Sequence, residues 1–418
     1  MKMAASCAAL NRLYARLQIM ESLRSNDSGK PLIRLRYPNS MAAIVSAGFS
    51  RFGKRKEGIM DLAAESALPV SRKYRDSIDF VLVSNCYSGE FNDMSGLNNL
   101  VTTFLSLDAV PSIRIDNTSG SGGAALLSAV SLIESKMAKA VLVIGVEKMS
   151  GKPTKDVTKI ISSLLGEREK AAGPSLPSLA GLLTKLYMSE FGATRESIAQ
   201  VAVKNHINGA MNPNAHIQKV LTLEQVLQSA VIIDPLRLFE ISPISDGSTS
   251  LLVVPDDQAE SYTDKPVYVK GIGMSSECAH LTDRKTFTDI PSVRRAGEIA
   301  KRQSGVERPD FAELHDMATI LEIVQTESLG FFGRGEGWKA VAEGATEIGG
   351  ELPVNTSGGL NSKGHPIGAT GVAQAAEVFL QLRNEAGQRQ VKNPENGMAM
   401  NMAGFGNSAT AAIMGVSK

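Results

Sequence analysis

From Met41 onward, short apolar runs alternate with stretches whose apolar residues return every three or four positions. The first pattern predicts buried strands around Ala43–Ser46, Phe80–Ser84, Ser112–Asp116, Ala140–Gly145 and Ser250–Val254. The second predicts helices over Met60–Lys73 and Gly122–Ser135, the latter rich in alanine. Strands alternating with helices imply a parallel sheet covered on both faces. Lys152–Gln228 breaks the rhythm: it is rich in Pro, Lys, Ser and Met, reads as mostly helical, and looks like an excursion from the sheet.

Beyond Pro266 the pattern repeats. Strands are predicted at Val267–Ile272 and Asp310–Leu314, a helix at Thr319–Ser328, and a glycine-rich turn at Ser357–Gly371. A helix over Val372–Asn384 and strands at Met398–Met402 and Thr410–Met414 close the chain. Each half holds a strand, a small-residue turn and a helix that opens with Ala and Gly, which suggests duplication of one α/β unit.

Composition narrows the class. Lys and Arg total 44 against 43 Asp and Glu, so neither a nucleic-acid footprint nor a polybasic membrane surface is expected. No apolar stretch approaches the roughly 20 residues of a membrane span. Three cysteines, Cys7, Cys86 and Cys278, are too few and too scattered for a disulfide framework or a four-thiolate zinc site, and no metal is expected. A cytoplasmic α/β enzyme or binding protein fits best. Residues 1–40 carry seven basic residues against two acidic ones. That is the bias of an organelle-targeting peptide, but a dispensable extension ahead of a second start at Met41 is the simpler expectation.

Three loops concentrate chemistry. In Ile115-Asp-Asn-Thr-Ser-Gly-Ser-Gly-Gly-Ala-Ala-Leu, Ser119 sits on a tight turn ahead of a helix, whose first amides stabilise developing negative charge. The run of small residues lets that helix pack close to the sheet; packing alone accounts for such turns equally well. In Glu313-Leu-His-Asp-Met-Ala-Thr, His315 follows an apolar strand with Asp316 beside it to orient it, though a histidine at a strand end is commonly only structural. In the segment 355–371, five glycines and one proline in seventeen residues fix an unusual path with His365 in the middle. Packing does not explain that third motif.

Gly364-His-Pro-Ile-Gly-Ala-Thr-Gly resembles the general-base motif of the thiolase superfamily, and the resemblance runs from about Met41 to the C-terminus. Glu147-Lys-Met-Ser, the Asn205-His and Asn212-Pro-Asn-Ala pieces, and Asp246-Gly-Ser fall where that family has similar signatures. His315-Asp316 is similar to the sterol-carrier-protein-type and archaeal acetoacetyl-CoA thiolases. The resemblance implies two duplicated βαβαβαββ halves in a five-layer α/β/α/β/α stack: an N-terminal half at 41–160 plus 230–256, a helical loop domain at 161–229, and a C-terminal half at 266–418. It also implies a homodimer or tetramer, coenzyme A thioesters as substrates with no other cofactor, and a place in lipid metabolism. Some relatives work beside an OB-fold/zinc-ribbon protein and a hydroxymethylglutaryl-CoA synthase.

The same resemblance implies roles: His365 as base, His315 as the group that polarises a thioester oxygen or orients water, and Ser242 as a coenzyme A contact. The backbone amides of Ser119, Ala403 and Gly404 would supply oxyanion donors. It also exposes a departure. The family's nucleophile is a cysteine, and Ser119 stands in its slot; Asn401 falls near the second catalytic cysteine, and Met317 takes the place where related chains put another. Cys86 is not expected to substitute. A thiol ionises near pH 8.5 and a hydroxyl nearer about 15.7, a deficit of roughly 10 kcal/mol. The expected activity is Claisen condensation of acetyl-CoA or the reverse thiolysis, impaired by Ser119. The alternatives are a non-catalytic acyl-CoA-binding or scaffold subunit, or a non-thiol reaction such as decarboxylation or retro-aldol cleavage. A serine hydrolase is disfavoured, because Gly-x-Ser-x-Gly fails by one residue.

Overall fold

The computed structural model describes residues 42–418, so the expectations for the first forty residues lie outside it. The N-terminal part runs β1 (Ala42–Phe49), α1 (Ile59–Tyr74), β2 (Phe80–Ser84), α2 (Ser88–Asn92), α3 (Leu97–Phe104), β3 (Ser112–Ile115), α4 (Ser121–Glu134) and β4 (Val141–Glu147). The excursion is helical as expected: α5 (Thr154–Ile161), α6 (Glu167–Ala171), α7 (Leu176–Phe191), α8 (Arg195–Ala210) and α9 (Leu223–Gln228). A small hairpin that the sequence pattern did not show follows, β5 (Val231–Ile233) with β6 (Leu236–Arg237). Then come β7 (Gly247–Pro255), α10 (Ala259–Tyr262), β8 (Val267–Ser276), α11 (Pro291–Ser304), β9 (Phe311–Glu313), α12 (Thr319–Ser328) and α13 (Gly337–Ala342). The chain ends with α14 (Ile367–Leu382), β10 (Asn396–Ala403) and β11 (Ser408–Gly415).

Among the described residues, nine strands join in the order β3-β2-β4-β7-β1-β8-β11-β10-β9. The seam is the antiparallel β1–β8 pair, where Ala42, Ala43 and Ile44 face Val269, Tyr268 and Val267. Outward from it both sides follow one scheme. Two antiparallel pairs come first, β1–β7 and β7–β4 on one side, β8–β11 and β11–β10 on the other. A parallel pair follows, β4–β2 matched by β10–β9. β3 then extends the first side, whereas its counterpart is a single parallel bridge from Ala312 to Val354. The duplication expected from element order is thus present in the pairing itself.

The sheet is mixed, not parallel as the strand–helix alternation suggested. Only Gly404–Asn407 separate β10 from β11, too short a link for a parallel crossover, so these two strands must run antiparallel. α1 packs on β1, β7 and β4, and α11 on β8 and β11, while α4 and α14 touch each other and strands of both halves. Two half-sheets with a helix pair between them and helices outside give the α/β/α/β/α stack. No helix among the described residues is long and apolar enough to cross a membrane.

The central helix pair meets through glycine. A Cβ on Gly122 would stand 2.5 Å from the Val372 amide nitrogen and 2.6 Å from the Gly371 Cα. One on Gly371 would stand 2.5 Å from the Gly123 nitrogen. Gly122 therefore serves helix–helix contact, while a Cβ on Gly123 would stand 2.8 Å from Thr410 Cβ and 3.2 Å from Asn401 Cβ, the close helix–sheet approach expected of these small residues. Gly368 and Gly371, read as turn residues, lie inside α14, which starts at Ile367 rather than Val372. Their role is close approach.

At Gly122 the colliding atoms are all backbone, and at Gly371 the Gly123 nitrogen is joined by the Asn401 side chain, whose Cγ would stand 2.6 Å away, so neither position can yield cheaply. Gly371→Ala is expected to lower stability by about 1–3 kcal/mol. Gly151→Ala, at an exposed site with nothing within 4 Å, is expected to be neutral. Denaturant unfolding of the two variants checks the contrast.

Candidate active site

Ser119 is carried on the turn between β3 and α4. Thr118 there adopts φ +47°, a left-handed conformation that a β-branched residue rarely takes. Its surroundings over-determine it: the Thr118 amide donates to Asp116 Oδ1 at 3.0 Å, and its carbonyl accepts from the Ser121 hydroxyl at 2.6 Å and the Cys86 thiol at 2.7 Å. Cys86 therefore braces the turn from beneath. Burial, with Glu147 nearby, pushes its thiol well above the usual range, so it stays protonated. The Ser119 hydroxyl accepts from the Gly404 amide at 3.2 Å, which brings the β10–β11 turn onto it. Ala403 sits one residue back, closing β10 opposite Ser408.

His365 is fixed by the chain on both sides. Before it, Gly359 holds φ +58° and Gly364 φ +106°, and a Cβ at Gly364 would meet Ser245 Oγ at 2.7 Å. After it, Pro366 opens α14. Its Nδ1 lies 2.6 Å from Thr370 Oγ1. The Thr370 hydroxyl gives its one proton to the Pro366 carbonyl at 3.0 Å, so toward the imidazole it accepts. Nδ1 therefore carries the proton, and the lone pair of His365 is on Nε2.

His315 follows β9 in irregular backbone whose polar groups are paired by side chains. Asn355 Oδ1 takes the Leu314 amide at 2.8 Å, and Gln325 holds both the amide and the carbonyl of His315. Its ring stands edge-on to His365, centroids 4.9 Å apart and planes at 87°. Nδ1 lies 3.0 Å from the Asn401 amide nitrogen, and Nε2 is buried without a partner. Asp316 does not orient His315 as the sequence suggested. Its oxygens face away, to the Leu360 amide and Asn205 Nδ2 at 2.8 Å each, and pin the turn that leads to His365.

Ser119, Ser242, Met317 and His365 line one cavity of about 120 Å³, walled by aliphatic residues including Val157, Ile161, Leu176 and Ile244. Ser242 is placed there by the hydrogen bond its backbone N–H donates to the Met317 carbonyl at 2.9 Å. His315 packs behind His365. The structure thus gathers residues more than two hundred positions apart in sequence around one opening.

Residues 41–257 match the thiolase N-terminal domain family, and residues 273–416 the family described as thiolase C-terminal domain-like. The chain belongs to the thiolase family. It is 41% identical to an acetyl-CoA acetyltransferase of Methanothermobacter thermautotrophicus, over 80% of this chain and 88% of that one. It is 33% identical to the acetyl-CoA acetyltransferase of Methanocaldococcus jannaschii, over 89% and 98%. Rabbit (Oryctolagus cuniculus) sterol carrier protein 2 is 31% identical over 86% of this chain and 66% of its own length. Among solved structures, an Ltp2-ChsH2(DUF35) aldolase superposes with TM-score 0.78 at 24% identity, covering 90% of this chain and 98% of that one. Human mitochondrial 3-ketoacyl-CoA thiolase in complex with CoA gives 0.70 at 18%, covering 91% and 98%. These two show the shared fold.

Three residues of this thiolase-family site had no assigned role in the sequence reading. In the sequence alone Asn401 marks only the place of a missing cysteine, and Thr370 is only a letter of the histidine motif. Lys363 is the third: it is buried, 3.5 Å from Glu313, and its charge disfavours a second positive charge nearby. Burial first, then Lys363, pushes His365 down to about 3. Burial, then His365 and Lys363, holds His315 well below its ordinary value. Both rings are neutral near pH 7, in the state their hydrogen bonds require. Glu147 at the end of β4 ties the parts together. Its carboxyl accepts from the amides of Cys86, Tyr87 and Gly368, joining the loop after β2 to the first turn of α14, and burial pushes it up to about 7.

The histidine shifts set a pH dependence. Unfolding lets His365 rise from about 3 to its ordinary 6.5, so below pH 6.5 the unfolded chain binds the additional proton. His365 is then a source of stability present above pH 6.5 and lost as pH falls toward 3. The slope approaches about 1.4 kcal/mol per pH unit for one proton. Urea titrations between pH 4 and 7 should show a shallower slope in His365→Asn than in the parent; equal slopes would contradict a neutral buried ring.

Proposed function

We propose that this chain binds acyl-CoA thioesters and carries Claisen-type chemistry, joining two acetyl units or cleaving acetoacetyl-CoA, with covalent acyl transfer slowed by Ser119. The observation that carries the reading is the one cavity onto which Ser119, His365 and Ser242 open, with the Gly404 amide aimed at the Ser119 oxygen. The similarity to two acetyl-CoA acetyltransferases supports it.

In this reading His365 Nε2 removes the Ser119 proton as the oxygen attacks the thioester carbonyl, and returns it to the departing coenzyme A sulfur. The acyl group is left as an ester on Ser119. The Gly404 amide, with those of Ser119 and Ala403, faces the carbonyl oxygen as it gains charge. His315, protonated at Nε2, polarises the thioester oxygen of the second substrate while His365 Nε2, free again once its proton has left with the coenzyme A sulfur, takes the α-proton; the carbanion attacks the ester carbonyl, and the Ser119 oxygen leaves with the proton that His365 returns. Ser242 contacts the coenzyme A moiety. The site is otherwise furnished, but its nucleophile is an alcohol, roughly seven pKa units harder to ionise than a thiol. An oxygen ester also lies below a thioester in energy, so return of the acyl group to coenzyme A is uphill.

Two measurements test the reading. Titration calorimetry should show the unmodified chain binding coenzyme A and acetyl-CoA; a folded protein that binds neither would remove the ligand. Ser119→Cys should raise acetoacetyl-CoA thiolysis by several orders of magnitude, since one atom recovers most of the roughly 10 kcal/mol deficit. If the unmodified chain turns over an acyl-CoA and the cysteine variant does not, Ser119 serves a reaction other than acyl transfer.

A further inference from the structure

Asn401 occupies a position where the amide group cannot be turned round. Its Oδ1 accepts from the Gly123 amide at 2.9 Å, and a backbone N–H is a donor in every state of the protein. Gly123 lies in the first turn of α4, where amides have no partner within the helix, so this bond also satisfies an otherwise orphaned group. With Oδ1 committed, the two Nδ2 hydrogens must point the other way. One goes to the Ser119 carbonyl at 3.0 Å, the other to His315 Nδ1 at 3.0 Å. Nδ1 of His315 therefore receives a hydrogen bond and carries no proton. The ring is neutral, so its proton must be on Nε2, the atom that is buried with no partner in the protein.

The neighbouring ring is wired in the opposite sense, with Thr370 accepting from Nδ1 of His365 and leaving Nε2 bare. Two imidazoles 4.9 Å apart thus present unlike faces, one N–H and one lone pair. We infer that Asn401 is a positioning residue that sets the tautomer of His315, making that ring a permanent hydrogen-bond donor beside a permanent acceptor. A thiol at this position, as in the family members with a second cysteine, would offer Nδ1 one weak donor and no second hydrogen for the Ser119 carbonyl. The same amide therefore couples the histidine to the backbone of the nucleophile's turn.

This inference rests on the geometry of the free protein. It depends on the acyl-CoA reading only for its kinetic consequence, so the two are tested apart. The protein contains five histidines, few enough for long-range proton–nitrogen spectra of a chain labelled in histidine alone, with His315 assigned by its loss in His315→Gln. The parent should show His315 protonated at Nε2, unchanged between pH 5.5 and 8. Asn401→Asp keeps an oxygen for Gly123 but presents a second acceptor to Nδ1, and should move the His315 proton to Nδ1. A parent spectrum with the proton on Nδ1, or an unchanged tautomer in folded Asn401→Asp, overturns the assignment. Should the aspartate variant not fold, the parent spectrum decides, with Asn401→Ala expected to give a mixture of tautomers.

In the Ser119→Cys background, Asn401→Asp should lower kcat for thiolysis at least tenfold with KM little changed, because a donor to the substrate oxygen has become an acceptor. A tautomer that moves without any change in kcat would sink the donor role given to His315 in the proposed reaction and leave its tautomer assignment standing.

Discussion

The active-site geometry depends on one contact, the glycine-to-glycine approach of α4 and α14 between the two half-sheets. Each helix follows a chemical loop: Ser119 precedes α4, His365 precedes α14. The backbones meet at Gly122, Gly123 and Gly371 with no room for a Cβ. Any larger residue would push the helices apart, and with them the serine and the histidine. Asn401 of β10 bonds to Gly123 at this crossing, so the strand that turns toward Ser119 is tied to the same point. Position transmits directly into function here because close-packed backbone has no soft response to displacement.

Around that contact the fold builds a site that is neutral by design of its surroundings. A buried ammonium, Lys363, lies near two imidazoles that are themselves buried, and the sum keeps both unprotonated. Their hydrogen bonds then decide what each can do, one giving a proton and the other taking one. The carboxylates of the neighbourhood are occupied elsewhere. Asp316 holds the turn before His365, Glu147 holds the start of α14, and Asp246 gathers the amides of Arg55, Met149 and Ser150. Glu147, Asn212 and Asp246, each in a family-like motif, are in this sense architectural: they pair backbone groups of neighbouring loops.

Ser119 is held by an elaborately built turn. The left-handed Thr118, the amide of Gly404 and the braced turn are costly arrangements to hold, and they converge on one oxygen. Cys86, although close, spends its thiol proton on the Thr118 carbonyl, and burial beside Glu147 keeps that thiol protonated. The protein thus has the scaffold of a thiolase, with the Ser119 alcohol held at the opening of its cavity.

Most strands of the large sheet, the helical excursion after β4, the duplicated halves and the candidates Ser119, His315 and His365 were legible in the linear sequence, whereas the β5–β6 hairpin and helices α2, α3, α11 and α13 were not. Apolar periodicity is local and glycine spacing is literal, so both can be read without contacts. The mixed sheet was not legible, since strand direction depends on which partner a strand finds and how short its link is. Nor was the start of α14, because glycine that allows a turn and glycine that allows a close approach look alike in a string of letters. The role of Asp316 was not legible for a similar reason: adjacency in sequence does not make two side chains partners, and its oxygens find the Leu360 amide and Asn205 instead. Asn401, Thr370 and Lys363 gained their roles only when strands and helices more than two hundred residues from Ser119 were brought against it, because a tautomer is fixed by partners in space and a pKa by burial.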